Sequence, residues 1–257
     1  MASTTALFLF CLSSSFLAIA SSDKSPPMNL TIVNNCPFTI WPAIQPNSGQ
    51  AILQNGGFSL ETLAFRSFVV PSHDWTGRIW ARTGCSIDSK GKFECITGDC
   101  GDHVECGSRG GASPATLAQI QLYHSDDQKD LTSYGISLVD GFNIPVSLTP
   151  HQGRGHCPVV GCNIDLLATC PKSLQLKTIP GRGKEVVMGC RSGCGAFGTD
   201  ELCCRNMYNS PKTCRASSYS NFFKTACPSA FTFAHDTPAT AVDDCVSPRE
   251  LKLIFCN

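Results

Sequence analysis

Residues 91–106 read GKFECITGDCGDHVEC, with Cys95, Cys100 and Cys106 set among Gly91, Gly98 and Gly101. A structural zinc site normally announces itself as paired C-x-x-C knuckles, and no such pair occurs here or elsewhere in the chain. The stretch therefore reads as a short, turn-rich segment fastened by disulfides, which places the protein in an oxidising compartment. The rest of the 257-residue chain agrees, with 17 cysteines, 22 glycines and 16 prolines. Charged side chains are 16% of the sequence, 20 basic against 20 acidic, which argues against a disordered tail, a polybasic membrane arm or a charge-driven nucleic-acid binder. At this length a real hydrophobic core can form, so the cysteines supplement a core and do not replace one.

The N-terminus supplies the route to that compartment. Residues 6–20 (ALFLFCLSSSFLAIA) form an apolar run that is too short and too serine-rich to be a membrane anchor, since a span needs about 20 apolar residues. It ends in Ala18-Ile19-Ala20, a small-residue pattern that a signal peptidase accepts. Cleavage is expected after Ala20 or Ser22, so residues 1–22 are read as a signal peptide that carries Cys11 away. Sixteen cysteines remain, an even number that reads as eight disulfides. Spacing leaves about two million pairings open. Adjacent Cys203 and Cys204 are expected to take different partners, because a bridge between chain neighbours is strained.

The mature chain has the pattern of a β protein. Residues 29–33, 39–41, 66–70, 78–83, 116–123 and 251–255 are short runs of β-branched and aromatic residues, bounded by turn signals such as Asn55-Gly56-Gly57. Many short strands suggest a sandwich or barrel. Helix is expected only at residues 219–227 and, more weakly, 201–206. Four cysteines lie between Cys85 and Cys106, nine between Cys157 and Cys227, and none between Gly107 and His156. The expected architecture is a mainly β core carrying a small and a larger stapled appendage, whose bridges compensate for cores too small to hold irregular chain.

The 91–106 stretch, the run ISLVDGFNIP at residues 136–145, the opening NNCPFTIW at residues 34–41, the ending Phe255-Cys256 and the collinear cysteine spacing together resemble the thaumatin-like, osmotin-like plant defence proteins. One local departure is Gly101-Asp102, where the family has Gly-Gly. The resemblance implies a thaumatin-like β-sandwich core at residues 23–83, 116–161 and 228–257, a small disulfide lobe at 84–115 and a large disulfide-rich lobe at 162–227. It also implies the bridges Cys36–Cys256, Cys85–Cys95, Cys100–Cys106, Cys157–Cys245, Cys162–Cys227, Cys170–Cys190, Cys194–Cys203 and Cys204–Cys214. Between core and large lobe the family carries a cleft lined by one arginine, one glutamate and three aspartates, associated with β-1,3-glucan binding and, in some members, weak endoglucanase activity. Here the matching arginine is Arg78, and Asp140 and Asp236 match two of the aspartates. The glutamate is replaced by Gln119 and the third aspartate by Gly135.

These replacements have a chemical consequence. Glycoside hydrolysis usually needs one carboxylic acid to protonate the leaving oxygen and a second carboxylate as nucleophile or base. An amide at Gln119 makes hydrogen bonds but supplies no proton at neutral pH. The reading is a secreted, apoplastic, antifungal pathogenesis-related protein, acting as a monomer without cofactor, metal or nucleic acid, that binds β-1,3-glucan or another fungal wall polysaccharide without efficient hydrolysis. The alternative is a weak endo-β-1,3-glucanase using Asp140 and Asp236, and a third reading is a structural wall protein that has lost its ligand. Asp126, Asp127 or Asp130, in a segment longer than the family's, offers a replacement carboxylate, although solvated loop positions are the simpler expectation for all three. Asp140 before Gly141 serves a turn as readily as a ligand. Arg78 and Trp80 share a strand face by alternation, with Trp80 expected in the core. A neutral chain with fewer cleft carboxylates implies weak, salt-insensitive glucan binding.

Other motifs fail on context. Residues 193–198 (GCGAFG) fit G-x-G-x-x-G, but no strand leads in and a cysteine sits inside, so a tight stapled loop is expected. The six histidines show no metal-ligand spacing, His124 and His235 are expected to be surface or hydrogen-bonded residues, and no G-x-S-x-G elbow occurs. Asn29-Leu30-Thr31 is a glycosylation sequon at the start of the first strand. With Asn257 one residue past Cys256, no C-terminal sorting extension is expected.

Overall fold

A computed structural model describes residues 27–127, 129–179, 183–238 and 241–257; the expected signal peptide lies outside the described residues. The strands are β1 (Met28–Asn34), β2 (Trp41–Pro46), β3 (Phe65–Val70), β4 (Trp75–Arg82), β5 (Ser86–Ile87), β6 (Phe93–Glu94), β7 (Leu117–His124), β8 (Asp130–Ser137), β9 (Val146–His151), β10 (Val160–Cys162), β11 (Gln175–Thr178), β12 (Val186–Cys190), β13 (Val242–Val246) and β14 (Glu250–Phe255). Three short helices, α1 (Gly193–Phe197), α2 (Asp200–Cys203) and α3 (Ser218–Ala226), fall in the cysteine-rich region.

Two five-stranded sheets, ordered β10-β9-β14-β1-β3 and β13-β8-β7-β4-β2, carry the core. Side chains alternate between faces along a strand, and β4 shows the result. Trp75, Ile79 and Ala81 point into the main core with Leu30, Ile32, Ile120, Leu122, Ile136, Leu251 and Leu253, whereas Trp80 lies in a second cluster with Ala43, Cys100, Cys106, Ala115 and Leu117. The outer face of the second sheet is thus covered by stapled chain at the Trp80 end. At Arg78 it is exposed.

β1 and β14 run parallel, the expected tie between the first and last strands, with the Cys36–Cys256 bridge just beyond them. β2 tolerates Pro42 and Pro46 because it is the edge strand of its sheet, where a missing N–H leaves no ladder bond unmade. The sequence 41–46 showed only its start as strand for the same reason. β8 escaped the sequence reading because DLTSYGIS has few apolar positions.

The bridges Cys85–Cys95 and Cys100–Cys106 staple the β5–β6 hairpin and the loop after it. This segment is pegged to the core by the buried Arg82, which donates to the carbonyls of Trp41 (3.1 Å), His103 (3.2 Å) and Val104 (2.6 Å), and by Trp80 Nε1, which donates to Gly98 O at 2.7 Å. Beyond β10, Cys170–Cys190, Cys194–Cys203 and Cys204–Cys214 close local loops and Cys162–Cys227 ties that region back to β10, while Cys157–Cys245 joins the loop before β10 to β13. Residues 193–198 form the helix α1 with Gly198 as its left-handed cap, where a stapled loop was expected; Ser192 accepts from Gly195 N and starts the turn.

Candidate functional site

Three neighbouring antiparallel strands place one row of residues on the outer face of the sheet, from the exposed Arg78 through the half-buried Gln119 to the buried Gly135. Arg78 of β4 is registered with Gln119 of β7, and Gln119 with Gly135 of β8. A single cleft runs past this row as three adjoining hollows of about 280, 300 and 280 Å³. Arg78, Gln119 and Phe231 line the first two, and Asp140 and Phe233 line the second and third. The far wall is the cysteine-rich chain, including Ser192, Gly193, Arg205 and Arg215.

At Gly135, which the sequence resemblance reads as a replaced aspartate, the space above the backbone is filled. A Cβ added there would lie 2.7 Å from Cε2 of Phe231. Phe231 is fixed against β8 at both backbone groups, its N–H donating to Ile136 O (2.9 Å) and its carbonyl accepting from Leu138 N (2.7 Å). An aromatic ring thus stands where a carboxylate would project.

Asp140 reaches the cleft from a tight turn closed by Gly141 N donating to Leu138 O at 2.9 Å. Gly141 has φ +92°, and a Cβ there would meet Cys190 O at 2.5 Å, so only glycine lets the turn pack against β12. Burial raises the Asp140 carboxyl above its usual pKa, and the positive charge of Arg78 acts in the opposite, smaller sense.

Asp236 is engaged elsewhere. Its Oδ2 accepts from Thr232 N (2.8 Å) and Thr232 Oγ1 (3.0 Å) and lies 2.6 Å from Lys224 Nζ of α3, with the Asp236 side chain only 9% exposed. Lys224 also donates to Ala230 O at 2.6 Å. This carboxylate latches α3 to the segment after it and does not line the three hollows. Nor do Asp126, Asp127 or Asp130: Asp127 pairs with Lys129 at 3.2 Å, and Asp130 is buried against His124. Asn29 is exposed on β1.

The sequence reading missed four cleft residues. Phe231 and Phe233 alternate in the segment FTF before Ala234, and Arg205 and Arg215 each lie one residue past a cysteine of the Cys204–Cys214 bridge. With Arg78 they give the lining, among the described residues, three guanidinium groups against the single carboxylate of Asp140. The cleft is therefore locally cationic although the whole chain is neutral.

Sandwich, staples and open polar cleft together define a class: a disulfide-rich β-sandwich protein with an elongated groove along the outer face of one sheet. Within that class the chain belongs to the thaumatin family, whose pattern matches residues 34–257. It is similar to an osmotin-like protein of Solanum lycopersicum, 56% identical over 258 residues and covering 100% of both chains. It is also similar to pathogenesis-related thaumatin-like protein 3.5 of Cryptomeria japonica, 41% identical over 226 residues and 88% of each chain. A third relative is a glucan endo-1,3-beta-glucosidase of Prunus avium, 39% identical over 221 residues, 86% of this chain and 87% of that one. No helix among the described residues is long and apolar enough to cross a membrane.

Proposed function

We propose that this is a secreted pathogenesis-related defence protein that holds β-1,3-glucan of fungal walls in the cleft and does not hydrolyse it efficiently. The observation that carries this reading is that, among the described residues, Asp140 is the only acidic side chain lining the cleft. Hydrolysis needs two carboxyl groups flanking one glycosidic bond. Asp236 is held by Lys224 and Thr232, and Gln119 has no acidic proton to give. What remains suits binding. The rings of Phe231 and Phe233 offer apolar faces to the C–H faces of sugars, while Arg78, Gln119 and Asp140 offer donors and acceptors to their hydroxyl groups. Residues 84–115 and 162–227 are read as a small and a large lobe, the latter forming the far wall of the groove. The likeness to the glucosidase-named relative supports a glucan as ligand.

Sedimentation with insoluble β-1,3-glucan, run beside an assay of released reducing sugar, tests this. The folded protein is expected to co-sediment, with retention changing little with salt because the ligand is uncharged, and to release no sugar. Phe233→Ala and Asp140→Asn are each expected to weaken retention. Sugar release by the parent that Asp140→Asn abolishes would instead assign a weak endo-β-1,3-glucanase.

A further inference from the structure

At the rim of the sandwich, away from the cleft row, the register of the second sheet assembles a different group. Trp75 of β4 is paired with Leu122 of β7, so continuing two residues brings His73 opposite His124. His124 is in turn registered with Asp130 of β8. Three adjacent strand ends thus present two imidazoles and a carboxylate in one row. One donor atom from each side chain lies within 4.8 Å of the other two, and the imidazole ring centroids are 4.8 Å apart.

Two further features point to a cation. The Asp130 side chain is only 5% exposed; its Oδ1 lies 2.6 Å from His124 Nδ1, but its Oδ2 is buried with no hydrogen-bond partner among the described residues. A buried carboxylate oxygen without a donor is costly, and a metal ion is one of the few groups that could satisfy it. His73 Nδ1 lies 2.7 Å from Asp74 Oδ2. A carboxylate accepting from Nδ1–H fixes the ring and leaves Nε2 as the free donor atom, the arrangement that orients metal-binding histidines. Neither Asp130 nor the two histidines line the glucan cleft, so this site is independent of the proposed function.

We propose that His73, His124 and Asp130 form a binding site for a borderline divalent transition metal, with Zn²⁺ as the natural probe. Two imidazoles and one carboxylate are a ligand set that zinc accepts, with the fourth position left to water or an external ligand. Asp74 acts as the residue that positions His73.

Isothermal titration of the folded, disulfide-intact chain with Zn²⁺ in a non-chelating buffer tests the assignment. One equivalent is expected to bind with Kd of about 10 µM or tighter. His73→Ala and His124→Ala should each weaken binding by more than about a hundredfold, and Asp74→Asn by about tenfold. His103→Ala, a histidine outside the cluster, should leave it unchanged. Because His73 is partly exposed, its replacement should preserve the circular dichroism spectrum. Independently of any variant, Zn²⁺ should shift the His73 and His124 ring resonances of the parent and leave His103 in place. Absence of saturable binding, or binding undiminished in a natively folded His73→Ala, His124→Ala double variant, overturns the proposal.

Discussion

Replacing Gly135 by aspartate restores a family carboxylate on paper, but the structure predicts that it disrupts the cleft. The first side-chain atom would stand 2.7 Å from Phe231 Cε2. Carbon atoms in ordinary contact lie about 3.5–4.0 Å apart, so the ring must retreat by roughly 1 Å. The Phe231 backbone is bonded to β8 on both sides, so the ring must retreat by rotation of its side chain away from the sheet. Overpacking of this kind costs about 1–3 kcal/mol. For a chain of this length each kcal/mol lowers Tm by roughly 2–4 °C. Urea unfolding of Gly135→Ala and Gly135→Asp should both show the loss, since the Cβ alone makes the clash. In a Phe231→Ala background the loss should shrink by about 1 kcal/mol or more, and the double-mutant cycle isolates that coupling. Equal losses with and without the ring, or no loss at all, would falsify the steric account. The functional corollary is that an aspartate at this position has to displace the ring of Phe231 before it can face the groove.

Asp236→Asn removes the partner of Lys224 and should cost about 1–3 kcal/mol in urea unfolding, while the folded variant keeps the glucan retention of the parent. Gln119→Glu places a carboxylate beside Arg78 in the cross-strand register, so its unfolding midpoint should hold or rise by the equivalent of about 0.2–1 kcal/mol. The raised Asp140 pKa gives a definite sign. Its folded carboxyl holds its proton more tightly than the unfolded one, so the stability it contributes is full below about pH 3.8 and is lost as pH rises through the higher folded value. Comparing unfolding at acid and neutral pH, Asp140→Asn should lack this loss and be at least as stable as the parent at neutral pH; a marked destabilisation there would mark Asp140 as a structural ion-pair residue.

How much of this was legible depended on whether a signal was local. Strand runs such as 66–70 and 251–255 carry their own alternation and apolar content, and the helix at 219–227 its own spacing; α3 adds a Ser217–Ser220 capping box that fixes its start. β8 and most of β2 depend on neighbours: a polar, glycine-bearing strand is held between β7 and β13, and a proline-bearing one lies on an edge. Cysteine count established the kind of stabilisation, whereas the choice of partner is a property of the folded chain.

The site shows the same division more sharply. Alternation puts Arg78 and Trp80 on one face, but only the stapled segment after β4 decides that Trp80 is buried beneath Gly98 and Gly111 while Arg78 meets solvent. Asp140 and Asp236 look equivalent in sequence, and one turn separates their fates: Gly141 aims Asp140 into the groove, and Thr232 with Lys224 draws Asp236 out of it. The replacement at Gly135 likewise acquires its meaning from Phe231, nearly a hundred residues later in the chain, since a glycine is what allows that ring to lie on the sheet. A glycine at this position and an aromatic ring lying on the sheet are therefore one structural arrangement. That coupling, more than the number of carboxylates in the groove, is what supports the proposed reading of a surface that holds a sugar chain without cutting it.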